Sequence, residues 1–262
     1  MKKLLVAVGV MAVLAACNNN HGNNTLANQD KEAKEMMQGY WRNDDAGNFA
    51  MLVKGDSIIF PDTSSMPLLF WIYQDSLYTQ GSHLQSYKIK KQAAHLFKFV
   101  NQLGEEVKLV KTDNTLARKI FAQEHPYAMN IFRTSDIDTT FNYGNQHYTC
   151  KIHVETTSDR VIKSTLTDDG IEVDNMYLDN VAQLKVWKNG QNLYAHDFRK
   201  KEFEQIVPKE LMSASILRGI DFAYADSSGV FFDATIGIPD AATAYIVELR
   251  IANNGKLTKK LK

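Results

Sequence analysis

The chain has 262 residues, 30 basic and 30 acidic, so its formal charge is zero at neutral pH. A neutral chain has no general electrostatic pull on nucleic acid or anionic lipid, and no nucleic-acid partner is expected. Two cysteines, Cys17 and Cys150, cannot build the disulfide framework of a small stapled fold, so a hydrophobic core has to carry the stability. The length is enough for two domains of roughly 80 to 130 residues each.

The chain opens with Lys2 and Lys3, followed by an apolar run from Leu4 to Ala16 that is too short to span a bilayer as a helix. It ends in Leu14-Ala15-Ala16-Cys17, which resembles the lipobox of bacterial lipoproteins. The resemblance implies removal of residues 1–16 and acylation of Cys17 on its thiol and its new amino terminus. Loss of Lys2 and Lys3 leaves 28 basic against 30 acidic residues, a charge of −2. No later apolar run approaches ~18 residues, so acyl chains are the expected membrane anchor, at roughly 0.8 kcal/mol per buried methylene. With Cys17 committed to lipid, Cys150 has no disulfide partner. Lipoproteins displayed on the cell surface in some Gram-negative groups resemble one another in carrying acidic residues just after the lipidated cysteine. Here Asn18, Asn19 and Asn20 stand there, which favours an outer-membrane position facing the periplasm.

Residues 17–37 read as the lipidated cysteine and a flexible tether. Asn18 to Asp30 has one sizeable apolar side chain, Leu26, too little to order a segment; Lys31 to Met37 suits a short helical lead-in. From Gly39 the pattern becomes short apolar segments punctuated by turns. These are Phe49–Val53, Ser57–Phe60, Leu68–Tyr73, Leu77–Gln80, Leu84–Lys90, Leu96–Val100 and Glu106–Lys111. The spacing predicts an antiparallel meander over 38–113, closed or nearly closed into a barrel, with Gly104 supplying a positive φ in the turn after Val100. Gly39-Tyr40-Trp41, Gly55-Asp56-Ser57-Ile58 and Gly104-Glu105-Glu106-Val107 resemble small lipocalin-like domains of envelope lipoproteins. That resemblance implies that Trp41 packs across one end of the barrel, and it permits an apolar ligand inside. About 75 residues, however, close a barrel narrow enough for side chains to fill. Trp41, Phe70, Trp71, Tyr73, Tyr78, Phe97 and Phe99 are then core or near-core residues.

Asp113 and Asn114 are good N-caps for a connector helix over Leu116–Glu124, stopped by Pro126, and 114–140 is read as a connector. Residues 141–262 read as an α+β domain, an antiparallel sheet with one or two covering helices, so the chain as a whole is mainly β. Tyr148 to Glu155 alternates, with Tyr148, Cys150, Ile152 and Val154 on one face and His147, Thr149, Lys151, His153 and Glu155 on the other. Cys150 cannot pair with His153 or His147 across a strand, and is expected to be a small buried hydrophobe. His147 and His153 are about 20 Å apart along the strand and cannot share a metal ion. No other histidine has ligand spacing, so no metal or cofactor is expected.

Asn189-Gly190 predicts a type I′ hairpin over Val181–Phe198. A plain two-residue turn would set Val186 opposite Leu193 and Leu184 opposite Ala195 on the core face. Lys185 would then lie opposite Tyr194 and Gln183 opposite His196. Lys185, Trp187, Tyr194 and His196 thereby form a mixed face that is the candidate binding surface. Lys200 to Leu217 reads as helical, with Pro208 opening its second segment, and Asp221–Ala225, Val230–Ile238 and Ala244–Ile251 return to strands.

The Val181–Phe198 hairpin, the Lys201-x-Phe203 helix start and Phe231 to Pro239, in that order, resemble an uncharacterised family of two-part Bacteroidetes lipoproteins, a domain of unknown function. The resemblance implies no activity and no functional residues. No nucleophile elbow, phosphate loop or dinucleotide fingerprint is present, so no catalytic residue is assigned. The acid pairs Asp44-Asp45, Glu105-Glu106 and Asp168-Asp169 sit in turns and read as solvated carboxylates. The expectation is a non-enzymatic binding or scaffolding lipoprotein of the cell envelope, with an unknown protein or small-ligand partner. The alternatives are a carrier of a lipid or apolar ligand in the first domain and an inhibitor-like partner-binding module.

Overall fold

The computed structural model describes residues 25–123, 128–129 and 134–262; Cys17 and its lipobox lie outside them. The chain is mainly β. Eight antiparallel strands close a barrel: β1 (Gly39–Asn43), β2 (Phe49–Lys54), β3 (Ser57–Ile59), β4 (Leu68–Tyr73), β5 (Ser76–Gln80), β6 (Leu84–Ala93), β7 (Leu96–Val100) and β8 (Glu106–Thr112). Pairing of Trp41 with Lys111 shuts the seam between β1 and β8. The predicted positive φ at Gly104 is present, at 81°.

Alternation along these strands sends one side-chain set inward. Trp41, Met51, Ile58, Phe70, Leu77, Phe97, Phe99 and Leu109 are fully buried in a single cluster. Side chains therefore occupy the barrel interior, and an apolar guest would have to displace them. Trp71 is also buried, but it is on the outer surface, where it stacks on Tyr78 at 5.6 Å. Its indole N–H donates to the Thr25 hydroxyl at 3.1 Å.

Of the tether expected over 17–37, the described residues 25–37 are folded onto the barrel, and the short helix expected from Lys31 is present. Residues 25–27 form a helical turn in which Thr25 is buried, and α1 (Lys31–Met36) closes one end of the barrel. Asp30 caps α1 by accepting from the Ala33 amide at 2.9 Å, while its own amide donates to the Ile72 carbonyl. Ala33 and Met37 then enter the barrel core, and Trp41 Nε1 donates to the Met37 carbonyl at 2.6 Å. The segment is ordered by these tertiary contacts, which a polar composition does not reveal. The connector helix α2 (Thr115–Phe121), capped by Asn114, sets Phe121 against Tyr40 at 5.7 Å.

The remainder is two sheets packed on one core. The first has the order β10 (Ser135–Tyr143), β11 (Gln146–Leu166), β12 (Glu172–Lys188) and β13 (Gln191–Arg199), with β9 (Ala128–Met129) running parallel to β12. The second is the meander β14 (Ile216–Asp226), β15 (Gly229–Gly237), β16 (Ala244–Ala252) and β17 (Leu257–Leu261). Tyr148, Cys150, Ile152 and Val154 meet Leu217, Ile220, Val230, Phe232, Val247 and Leu249 between the sheets. The helical block expected over Lys200–Leu217 is shorter than its periodicity suggests. It consists of a 3-10 turn (Lys200–Phe203) and α3 (Lys209–Met212), and Ile216 and Leu217 belong to β14. Phe203, Val207 and Met212 still reach the common core, but the second sheet covers most of the first.

β11 and β12 are 21 and 17 residues long, well beyond the usual strand. Their near halves belong to the sandwich. Past a register shift between Thr156 and Arg160, their far halves run out as a ribbon, flanked at Met176 and Tyr177 by β9, whose tip reaches the barrel.

Candidate functional site

The ribbon tip covers the barrel end opposite α1. Ile171 and Val173 are 1% and 2% exposed and belong to the barrel core cluster. All four connections at this rim hold the tip. Asn43 Nδ2 donates to Asp169 Oδ1 at 2.6 Å, and the Met66 amide donates to the Asp174 carbonyl at 2.8 Å. The Ser82 amide donates to Asp174 Oδ2, and the Gln102 amide donates to the Gly170 carbonyl at 3.2 Å. From within the barrel wall, Tyr87 Oη accepts from the Glu172 amide at 2.9 Å. Gly170 has φ 69°, and a Cβ there would lie 2.5 Å from Asn101 Nδ2, so both conformation and space require glycine.

Between tip and rim lies a cleft of about 280 Å³. Its floor includes Ala50, Phe60 and Val173, and its walls carry Asp62, Ser64, Ser65, Thr165, Asp168 and Asp169. Pro61-Asp62-Thr63 starts a tight loop in which Asp62 Oδ1 accepts from the Ser64 and Ser65 amides at 3.0 and 2.6 Å. Desolvation pushes the Asp62 carboxyl up, but the hydrogen bonds from Ser65 and Ser64 outweigh it and hold the group below the usual range. Asp169 is the opposite case. It is buried; desolvation raises its carboxyl above the usual range, the Asn43 amide opposes this, and the charge of Asp168 adds to it. The reading of Asp168-Asp169 as a solvated pair therefore fails at Asp169: a docked tip removes its water, and sequence spacing carries no signal of docking.

The sign of the shift gives a pH prediction. Between the ordinary carboxylate value of 3.8 and the raised folded value, the folded state binds more protons at Asp169 than the unfolded chain does. The favourable contribution is complete below the unfolded value and is lost as pH rises through the folded one. Asp169→Asn is expected to raise the thermal midpoint at pH 7, and to raise it less at pH 4. Thermal unfolding of both proteins at the two pH values checks this.

The face proposed from the second hairpin does not form. Asn189 and Gly190 make the expected turn, with φ of 51° and 78°, but a bulge at Leu193 shifts the register by one residue. Val186 pairs with Tyr194 and Leu184 with His196, while Lys185 pairs with Ala195. Leu193 and Tyr194 both pack on the sandwich core, and His196 sits beside Phe198 at 4.7 Å between ring centres. Lys185 and Trp187 are on the opposite face, so the four residues are not brought together. Burial pushes the Tyr194 hydroxyl up to about 12, with the charge of Glu202 contributing.

Cys150 is fully buried, and desolvation pushes its thiol up to about 12. A thiol this basic and inaccessible is a poor nucleophile. A maleimide at pH 8 is expected to leave Cys150 unlabelled in the folded protein and to label it once denaturant is added; peptide mass spectrometry locates the adduct. His153 lies on the other face, paired with Asp136 at 2.7 Å. Among the described residues no three His, Cys, Asp or Glu side chains are grouped to hold a metal ion, and no helix is long and apolar enough to cross a membrane.

No curated protein matches the chain. Residues 114–259 match the family model described as Domain of unknown function (DUF4738). That segment takes in the connector helix, both sandwich sheets and the ribbon that docks on the barrel. With more than half of its length matched, the chain belongs to the DUF4738 family.

Proposed function

We propose that this chain is a lipid-anchored binding protein of the bacterial cell envelope, without catalytic activity, held at the outer membrane by Cys17 and facing the periplasm. Its ligand or partner engages the cleft between the barrel rim and the ribbon tip. The observation that carries the binding role is the construction of this cleft. The barrel rim and the ribbon tip contribute opposite walls, and the polar side chains lining it are held in place by their own hydrogen bonds. Pre-set groups of this kind lose little entropy when a ligand arrives. Acidic and hydroxyl side chains over a small apolar floor suit a polar ligand carrying a basic group. The lipobox motivates the envelope location, and the Asn run after Cys17 the periplasmic side.

A photo-reactive amino acid at position 64, in the cleft wall, tests the reading in cells of the source organism. One dominant adduct is expected there and none from exposed position 116 on the connector helix. Equal capture at both positions, or none at 64, contradicts the cleft. Turnover of an ester, peptide or glycoside by the purified protein contradicts the non-catalytic role.

A further inference from the structure

The second sandwich sheet has one face on the core and one facing away from it. On the outward face the strand register lines up Tyr224, Phe231, Arg250 and Thr258 across all four strands. The adjacent row is Asp221, Asp233, Glu248 and Lys260. Phe231, Glu248, Arg250, Thr258 and Lys260 line a pocket of about 280 Å³. Phe231 is only 6% exposed although it points away from the core, and Tyr224 stacks on it at 4.3 Å with an 11° tilt.

The polar groups of this pocket are unevenly matched. Asp233 is neutralised by Lys262 at 2.6 Å, and Glu248 accepts from the Tyr224 hydroxyl at 3.3 Å. Asp226, at the end of the same strand as Tyr224, accepts from the amide and hydroxyl of Ser228, which hold its carboxyl below the usual range, and the charge of Arg250 adds to this. Arg250 has no hydrogen bond or ion pair with any described residue, and its Nε is out of solvent with no acceptor. A guanidinium is rarely left this way, because a buried donor without a partner loses its hydration and gains no bond in return. Among the described residues the Lys260 ammonium and the Thr258 hydroxyl likewise have no partner. Two cations, Arg250 and Lys260, and one carboxylate, Glu248, line the pocket.

We propose that this pocket binds a small carboxylate attached to a flat apolar body. The carboxylate takes the planar fork of Arg250, with Lys260 and Thr258 completing its shell, and the apolar part rests against Phe231. Arginine suits this better than lysine because its two parallel N–H groups match the two oxygens of a carboxylate. The site is on a different face of the sandwich unit from the ribbon cleft and does not depend on that cleft's role.

The test titrates benzoate, benzamide and inorganic phosphate into the full chain and follows backbone amide shifts. Benzoate is expected to shift amides within 230–232, 248–251 and 257–260 saturably. Benzamide, which lacks the charge, and phosphate, which lacks the ring, are expected to bind at least about tenfold more weakly. Arg250→Lys keeps the charge but loses the fork, and should weaken benzoate by about tenfold or more. Lys260→Gln alters an exposed residue that the fold does not need and should weaken it by about threefold. No saturable shift in these segments, undiminished binding in both variants, or phosphate binding as tightly as benzoate overturns the proposal.

Discussion

Ile171→Asp is expected to destabilise the protein by about 3 kcal/mol or more, although Ile171 lies outside the barrel sequence and at a ribbon tip. Its side chain is 1% exposed and belongs to the barrel core. The substitution removes most of that side chain's buried surface and places a carboxylate in the hydrophobic core of the barrel. Ile162→Asp is the matched control. Ile162 is on the same ribbon but 41% exposed, and its substitution should stay within about 0.5 kcal/mol of wild type. Equilibrium denaturation followed by tryptophan fluorescence reads both. A loss at position 171 no larger than that at 162 would mean that the tip rests on the barrel without supporting it.

The second large effect is expected at Asp179. This residue is 6% exposed in the middle of β12, where a carboxylate is normally unwelcome. Oδ1 accepts from the Leu217 amide at 2.8 Å and the Asn180 amide at 2.9 Å, and Oδ2 lies 3.7 Å from Lys200 Nζ. Asp179 thereby ties the first residues of β14, in the second sheet, to the long strand of the first. Desolvation raises its carboxyl above the usual range, opposed by the Leu217 amide and the Lys200 charge. Asp179→Ala leaves two buried amides without an acceptor and takes the paired charge from Lys200, which keeps its bond to the Ser215 carbonyl, and about 3 kcal/mol of stability should be lost. Asp179→Asn keeps one acceptor oxygen and is expected to lose clearly less. If the two variants lose the same amount in denaturant unfolding, the hydrogen bonds to Oδ1 are not what holds β14.

Asp179 also shows where sequence reasoning reaches its limit. The barrel strands were legible because their apolar residues alternate and their turns carry Gly or Asp; Lys54-Gly55-Asp56 and the turn ending at Gly104 are examples. The Asn189-Gly190 turn was legible for the same local reason. The outer ribbon was not. Thr156 to Leu166 is mostly polar, and its partner strand carries Asp174, Asn175, Asp179 and Asn180, residue types depleted in strands. They are buried because their partners come from far along the chain: Ser82 for Asp174, Ser65 for Asn175, Leu217 for Asp179 and Asn180. Without the ribbon there is no cleft, so Asp62 and Asp169 carried no signal as neighbours. The bulge at Leu193 was hidden for a related reason. A two-residue turn predicts a plain register, but the sandwich core takes both Leu193 and Tyr194, and that packing, rather than the turn, decides which residues share a face.

The ribbon tip closes the barrel and makes the two units a single body with a cleft between tip and rim. Hydrogen exchange of the wild-type chain at increasing, sub-denaturing urea tests it most directly. Amides in the outer ribbon (161–166 and 172–178) should open with the same free energy as those of the barrel rim strands 68–73 and 96–100, because the tip shares their core. Exchange of the ribbon at a much lower free energy, with the barrel strands still fully protected, would contradict the claim.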